Sequence, residues 1–146
     1  MEEKPFEPVI LALCCNWCSL GGADMAGLSR MQQPTNVRII RTMCSARIDP
    51  IFILQALTEG ADGVLFTGCH PGDCHYLTGN YKSLKRYEYV KYMFERLGLE
   101  PDRVWLKWIS ASEGARWAET VREFTERIRE LGPNPLKKVQ FGQSGV

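Results

Sequence analysis

Six cysteines and two histidines carry the reactive chemistry of this 146-residue sequence, and all eight lie between positions 14 and 75. Cys14, Cys15 and Cys18 fall in LCCNWCS, Cys44 closes VRIIRTMC, and Cys69, His70, Cys74 and His75 share GCHPGDCH. Thiolates gathered at one place are soft ligands, selecting zinc, copper(I) or an iron–sulfur cluster, and a C-x2-C pair can instead perform thiol–disulfide exchange. Structural zinc sites usually carry paired C-x2-C knuckles. Here only Cys15 and Cys18 form one, Cys69 and Cys74 are separated by four residues, and Cys44 stands alone. That spacing is irregular for a zinc ribbon, whereas CNWC, Cys44, Cys69 and Cys74 can supply the four thiolates of a [2Fe-2S] cluster. A thioredoxin-like use of Cys15 and Cys18 would leave Cys44, Cys69 and Cys74 unexplained. His70 and His75 could serve on one iron in a Rieske arrangement. With so many thiols at hand, they are expected to hydrogen-bond or pack beside the ligands instead.

These residues need a scaffold that brings distant segments together. Pro8 to Cys15, Val37 to Cys44, Gly63 to Cys69 and Arg103 to Ile109 are short apolar, β-branched runs that predict four strands. Between and after them, helices are predicted at Ala23 to Gln33, Pro50 to Gly60, Tyr81 to Gly98 and from Ser110 to Leu131. Leu84, Tyr87, Val90, Phe94 and Leu97 mark one face of the third helix. Ser110 and Glu113 have capping-box spacing ahead of the last, whose stripe is Ala118, Val121, Phe124, Ile128 and Leu131. Alternating strands and helices with short connections predict a single-domain α/β fold. It is a parallel sheet of about four strands with helices on both faces, flavodoxin-like or Rossmann-like. Each cysteine then lies at the carboxyl end of a strand or just past it. If the first strand sits between the second and third, their loops meet at the topological switch point. Gly68 and Gly72 are expected to let backbone approach the site and offer amides to sulfur. Residues 1–133 form the expected domain, and 134–146 a loose tail.

Composition narrows the function classes. A chain this long can bury roughly 70% of its unfolded surface in one core. A hydrophobic content of 45%, a charged content of 24% and a net charge of +1 describe an ordinary globular protein with no bias toward nucleic acid or anionic membranes. The acidic start MEEKPFEPVILALCC, with its short apolar run, suits neither a signal peptide nor a membrane span, and implies a cytoplasmic protein with reduced thiols. No Walker A loop, G-x-G-x-x-G or hydrolase triad is present, and GGADMAG lacks dinucleotide spacing. Trp17, Tyr76, Tyr81, Tyr89 and Tyr92 are aromatic candidates for a docking face. Arg30, Arg41 and Arg47 flank the expected site, where they could offset its charge or pair with carboxylates on a partner.

Four stretches carry a family resemblance: CNWCSLGGADMAGLSRMQQP, NVRIIRTMCSARIDPIFILQALTEGADGV, TGCHPGDCHYLTGNYKSLKR and WISASEGARWAETV. Through them the sequence resembles the delta subunit of methyl-viologen-reducing (coenzyme F420-non-reducing) hydrogenase, from about Pro8 to Pro133. The resemblance implies a [2Fe-2S] protein without substrate chemistry of its own. It would relay electrons from a hydrogenase, or a formate dehydrogenase in its place, to the flavin subunit of heterodisulfide reductase in an electron-bifurcating complex of methanogenesis. It also implies that the family's cysteines fall on Cys15, Cys18, Cys44, Cys69 and Cys74. Five candidates serve four ligand places, with the spare thiol expected at Cys15 or Cys18 because the other three come from separate parts of the edge. The alternatives from the residues themselves are a stand-alone thiol–disulfide protein using Cys15 and Cys18, or a zinc-stabilised interaction module.

Overall fold

The computed structural model describes residues 5–138. Strands β1 (Ile10–Cys15), β2 (Val37–Thr42), β3 (Gly63–Gly68) and β4 (Val104–Trp108) form one parallel sheet in the order β2-β1-β3-β4. Helices α1 (Ser19–Leu28), α2 (Pro50–Glu59), α3 (Gly79–Leu97) and α4 (Gly114–Leu131) complete the α/β fold. β1 lies between β2 and β3, so the chain reverses its direction of winding there, and the loops after β1, β2 and β3 share one edge.

Burial explains the strands. β3 reads GVLFTG and is buried at every position, because it has a strand on each side and helices on each face. On one face Ile10, Ala12 and Leu65 pack against Ala23 and Ala26 of α1 and Trp117, Val121, Phe124 and Ile128 of α4. On the other, Leu13, Val64 and Phe66 pack against Ile53 and Leu57 of α2 and Val90 and Phe94 of α3. Pro50 opens α2 with Asp49 as its cap, the carboxylate accepting from Ile51 N at 2.9 Å. Gly98, at φ 75°, ends α3 in the left-handed region.

Four local expectations need correction. The first helix begins at Ser19, directly after Cys18, and the glycines that read as loop lie inside it. They are there for close packing: a Cβ on Gly22 would come within 2.8 Å of Ser110 O, and one on Gly114 within 2.9 Å of Met25. Ser110 does not cap α4, which starts at Gly114. Glu113 nevertheless accepts from Ser110 N at 2.9 Å, so half of the expected box survives as a turn before the helix. On α3, Val90 and Phe94 are buried, but Leu84 and Leu97 are exposed. The loose tail does not begin at Asn134. Its side chain is buried and donates to Leu57 O and Ala61 O, and its amide donates to Asp62 Oδ1. A 3-10 turn follows at Pro135–Lys138, and residues 139–146 lie outside the described residues. Among the described residues, no helix is long and apolar enough to cross a membrane.

Candidate metal centre

Five of the six cysteines meet at the switch-point edge. Cys15 ends β1, and Cys18 stands at the head of α1 one turn later, its amide donating to Cys15 O. Cys44 follows β2 and caps a 3-10 turn, Ser45–Arg47, its sulfur accepting from Ala46 N at 3.4 Å. Cys69 follows β3, and Cys74 lies in the loop before α3. The sulfurs of Cys15, Cys18 and Cys69 all lie within 4.8 Å of one another, with Cys15 and Cys69 3.8 Å apart. Cys15, Cys18, Cys69 and Cys74 form a buried cluster, with the half-buried Cys44 against it. Cys14 points the opposite way, as its neighbour in a strand must. It sits in the hydrophobic core at 0% exposure, where burial pushes its thiol up to about 12.

The sulfurs polarise one another. Donation from Cys18 and the amides of Trp17 and Ser45 bring Cys15 down to about 6, while Cys18, as the donor, is raised. Of the two, Cys15 is the sulfur whose thiolate form its neighbours favour. The amide of His75 is aimed at Cys69. The helix α3 begins in the cluster itself, because a Cβ on Gly79 would collide with Cys44 Sγ and lie 3.1 Å from Cys74 Sγ. Partial positive charge from the starts of α1 and α3 converges on these sulfurs.

The glycines proposed from sequence work differently. Gly68 leaves space for Ser45, whose Oγ would be 2.7 Å from a Cβ there, and Gly72 serves a turn at φ 93°. Gly79 escapes sequence reasoning, because a glycine opening a helix leaves no pattern in the sequence. Three further residues carry no sequence signal at all. Ser19 Oγ accepts from Cys15 N at 2.9 Å and lies 3.3 Å from Thr67 O, tying β1 to β3 at the edge. Asn80, 1% exposed, donates from Nδ2 to both Cys69 O and His70 O, fixing the cysteine loop on α3. Ser83 Oγ bonds Ser45 Oγ at 2.6 Å.

The histidine rings turn away from the sulfurs. His70 pairs with Glu113, whose carboxyl the Ser110 amide and His70 hold down at about 2. His75 stacks on Trp17 with centroids 3.8 Å apart, and Trp17 Nε1 donates to Tyr76 Oη at 3.1 Å. Of the aromatic docking candidates, Trp17, Tyr76 and Tyr81 surround the site, while Tyr89 and Tyr92 lie exposed farther along α3. Arg41 and Arg47 line a cleft of about 610 Å³ beside Cys44. The donor set fits a thiophilic metal or iron–sulfur cluster: buried soft sulfurs, amides aimed at them and a glycine cradle.

The family model for methyl-viologen-reducing hydrogenase, delta subunit, matches residues 10–132. The chain is 53% identical to the vhc iron-sulfur protein of the F420-non-reducing hydrogenase of Methanococcus voltae, over 91% of this chain and 92% of the relative. It is 52% identical to the iron-sulfur protein of the F420-non-reducing hydrogenase of Archaeoglobus profundus, over 91% and 96%. A third similarity, 50%, is to one component of the ferredoxin/F420H2-dependent CoB-CoM heterodisulfide reductase of Methanosarcina acetivorans. It covers 86% of this chain and 16% of that much longer protein.

Proposed function

Because the chain belongs to the methyl-viologen-reducing hydrogenase delta-subunit family, we propose that it is a cytoplasmic [2Fe-2S] electron relay. It passes electrons from a hydrogenase, or a formate dehydrogenase in its place, to the flavin subunit of heterodisulfide reductase in an electron-bifurcating complex. The observation that carries this reading is the cluster of five sulfurs at one sheet edge, with Cys15, Cys18 and Cys69 within 4.8 Å of one another. The names of the relatives support the two ends of the relay: two are iron-sulfur components of hydrogenases, and one contains a matching segment within a heterodisulfide reductase.

The four buried thiols Cys15, Cys18, Cys69 and Cys74 are the ligands in this reading, and Cys44 is the spare. An anionic cluster gains most from sulfurs shielded from water, and Cys44 alone of the five is only partly buried and engaged in capping its own turn. This departs from the expectation that the spare would be Cys15 or Cys18. A bound [2Fe-2S] cluster would supply one-electron chemistry. The chain's own part is to hold the thiolates, aim amides at sulfur and bury the centre beneath Trp17 and His75. Trp17 and Tyr76 beside the buried cysteines are about half exposed, which leaves that face open to a partner.

Iron and acid-labile sulfide analysis of anaerobically purified protein, with electron paramagnetic resonance before and after dithionite, tests the reading. Two irons and two sulfides per chain, silent as isolated and giving a spin-half signal on reduction, are expected. Zinc would favour an interaction module, and a metal-free chain with a reversible Cys15–Cys18 disulfide would favour thiol exchange. Either sinks the relay. Serine replacement of each cysteine in turn assigns the ligands, with Cys44→Ser expected to retain both irons.

A further inference from the structure

The edge strand β2 is the most exposed strand of the sheet. In a parallel ladder alternate residues face the same neighbour. Ile10 N donates to Asn36 O and Asn16 N to Thr42 O, so the even-numbered residues of β2 face β1. The amides and carbonyls of Val37, Ile39 and Arg41 therefore point off the sheet, with no strand beyond them among the described residues. The side chains do not protect this edge either. Ile39 is 46% exposed on one face of the strand, Ile40 48% on the other and Met43 55% just past its end, apolar surface of the kind that monomers normally cover.

A groove runs beside that edge, over the sheet face between β2, β1 and α2. Three clefts of about 390, 320 and 610 Å³ share successive β2 residues: Arg38 and Ile40, then Ile40 and Thr42, then Arg41 and Thr42. The last of them opens on Cys44. Arg38, Arg41, Arg47 and Lys82 line the clefts against a single carboxylate, Glu59, which already accepts from Gln55. Arg47 lies over the Phe52 ring, 5.2 Å from its centroid, which holds the cation against the apolar wall. A second copy of this chain suits the edge poorly, since its own β2, VRIIRT, carries two arginines and no carboxylate to set against these cations.

We propose that the free edge of β2 and its basic groove take an extended, carboxylate-bearing strand from a partner protein. That strand pairs with the outward amides and carbonyls of Val37, Ile39 and Arg41 and sets its acidic side chains against Arg38, Arg41, Arg47 and Lys82. Main-chain pairing supplies affinity and the charges set register and partner choice. The inference goes beyond the relay reading by naming the recognition chemistry, and it rests on that reading only for the partners used in its test.

Hydrogen–deuterium exchange tests it on the full chain, alone and co-assembled with the hydrogenase and the flavin-bearing heterodisulfide reductase of its own organism. The amides of Val37, Ile39 and Arg41 are expected to exchange rapidly in the free chain and slowly in the complex. Ile39→Pro removes an outward donor at a position where an edge strand tolerates proline, and should weaken assembly about tenfold or more. Arg38→Glu with Arg41→Glu should weaken assembly most at low salt, and the paired lysine variant should restore it. Iron content should stay at the wild-type level in Ile39→Pro. Unchanged exchange at β2 in the complex, or wild-type assembly by both Ile39→Pro and the double glutamate variant, would overturn the proposal. So would a β2-mediated dimer of the chain alone in sedimentation, or failure to assemble with either partner at low salt. The relay itself stands or falls separately, on iron, sulfide and the spin-half signal.

Discussion

In the proposed relay the cysteines hold the cluster, and the residues that make room for them are small. Gly79 is the sharpest case, because any side chain there strikes Cys44 and crowds Cys74. Gly79→Ala is expected to cost about 1–3 kcal/mol of stability through overpacking and to lower iron content. Gly27→Ala, in α1 with open space around it, should be neutral or stabilising. A denaturation midpoint and an iron assay on both variants check this, and equal behaviour would remove Gly79 from the site. Glu113 offers a second residue-level test. Its carboxyl is lowered from 4.5 to about 2, so its contribution to stability is present above the ordinary carboxylate value and is lost as pH falls toward 2. Glu113→Gln should flatten the acid limb of a stability-against-pH curve between those values. Cys14 shows why residue type alone is insufficient: one position from Cys15, it belongs to the hydrophobic core.

At the scale of elements, the site is a set of strand ends locked to helix starts. Asn80 joins the first turn of α3 to the backbone after β3 by two donated hydrogen bonds. Asn80→Ala leaves Cys69 O and His70 O without that donor, at an expected cost of about 2–3 kcal/mol, and should speed iron loss to a chelator; an unchanged rate would show the loop is held otherwise. Asn134 does the same for the end of α2, binding Leu57 O and Ala61 O, so Asn134→Ala should lower stability by about 1–3 kcal/mol in a denaturant titration without changing iron content. The element boundaries that sequence patterning misplaced are instructive. The first turn of α1, Ser19–Gly22, reads as loop because its paired glycines carry no apolar stripe, and they are there to let α1 approach the start of α4 closely. α3 reads as more buried than it is, since periodicity marks a face but not how much of its length is covered.

For the whole molecule, a single sheet with two apolar layers anchors an edge that does the work. Phe124 is fully buried in the layer between α1, α4 and the sheet, beside Trp105 at 4.9 Å, and Phe124→Ala is expected to cost about 3–5 kcal/mol. Calorimetry should show that loss even in a cluster-free variant, since the core lies apart from the sulfurs. The four strands, the alternation with helices and the gathering of cysteines at one edge were legible in the sequence. Apolar runs of strand length and cysteines placed just after them are local patterns, and parallel α/β connection rules turn them into a shared edge. The family resemblance was legible for the same reason, because it is carried by residue type and spacing. Only the tertiary structure decided which way Cys14 points, that Cys44 is the less buried sulfur, that Gly79, Ser19 and Asn80 support the site, and that no strand among the described residues covers the outer edge of β2. Those properties depend on which surfaces meet across distant segments, and a one-dimensional pattern carries neither the depth of burial nor the partner on the other side.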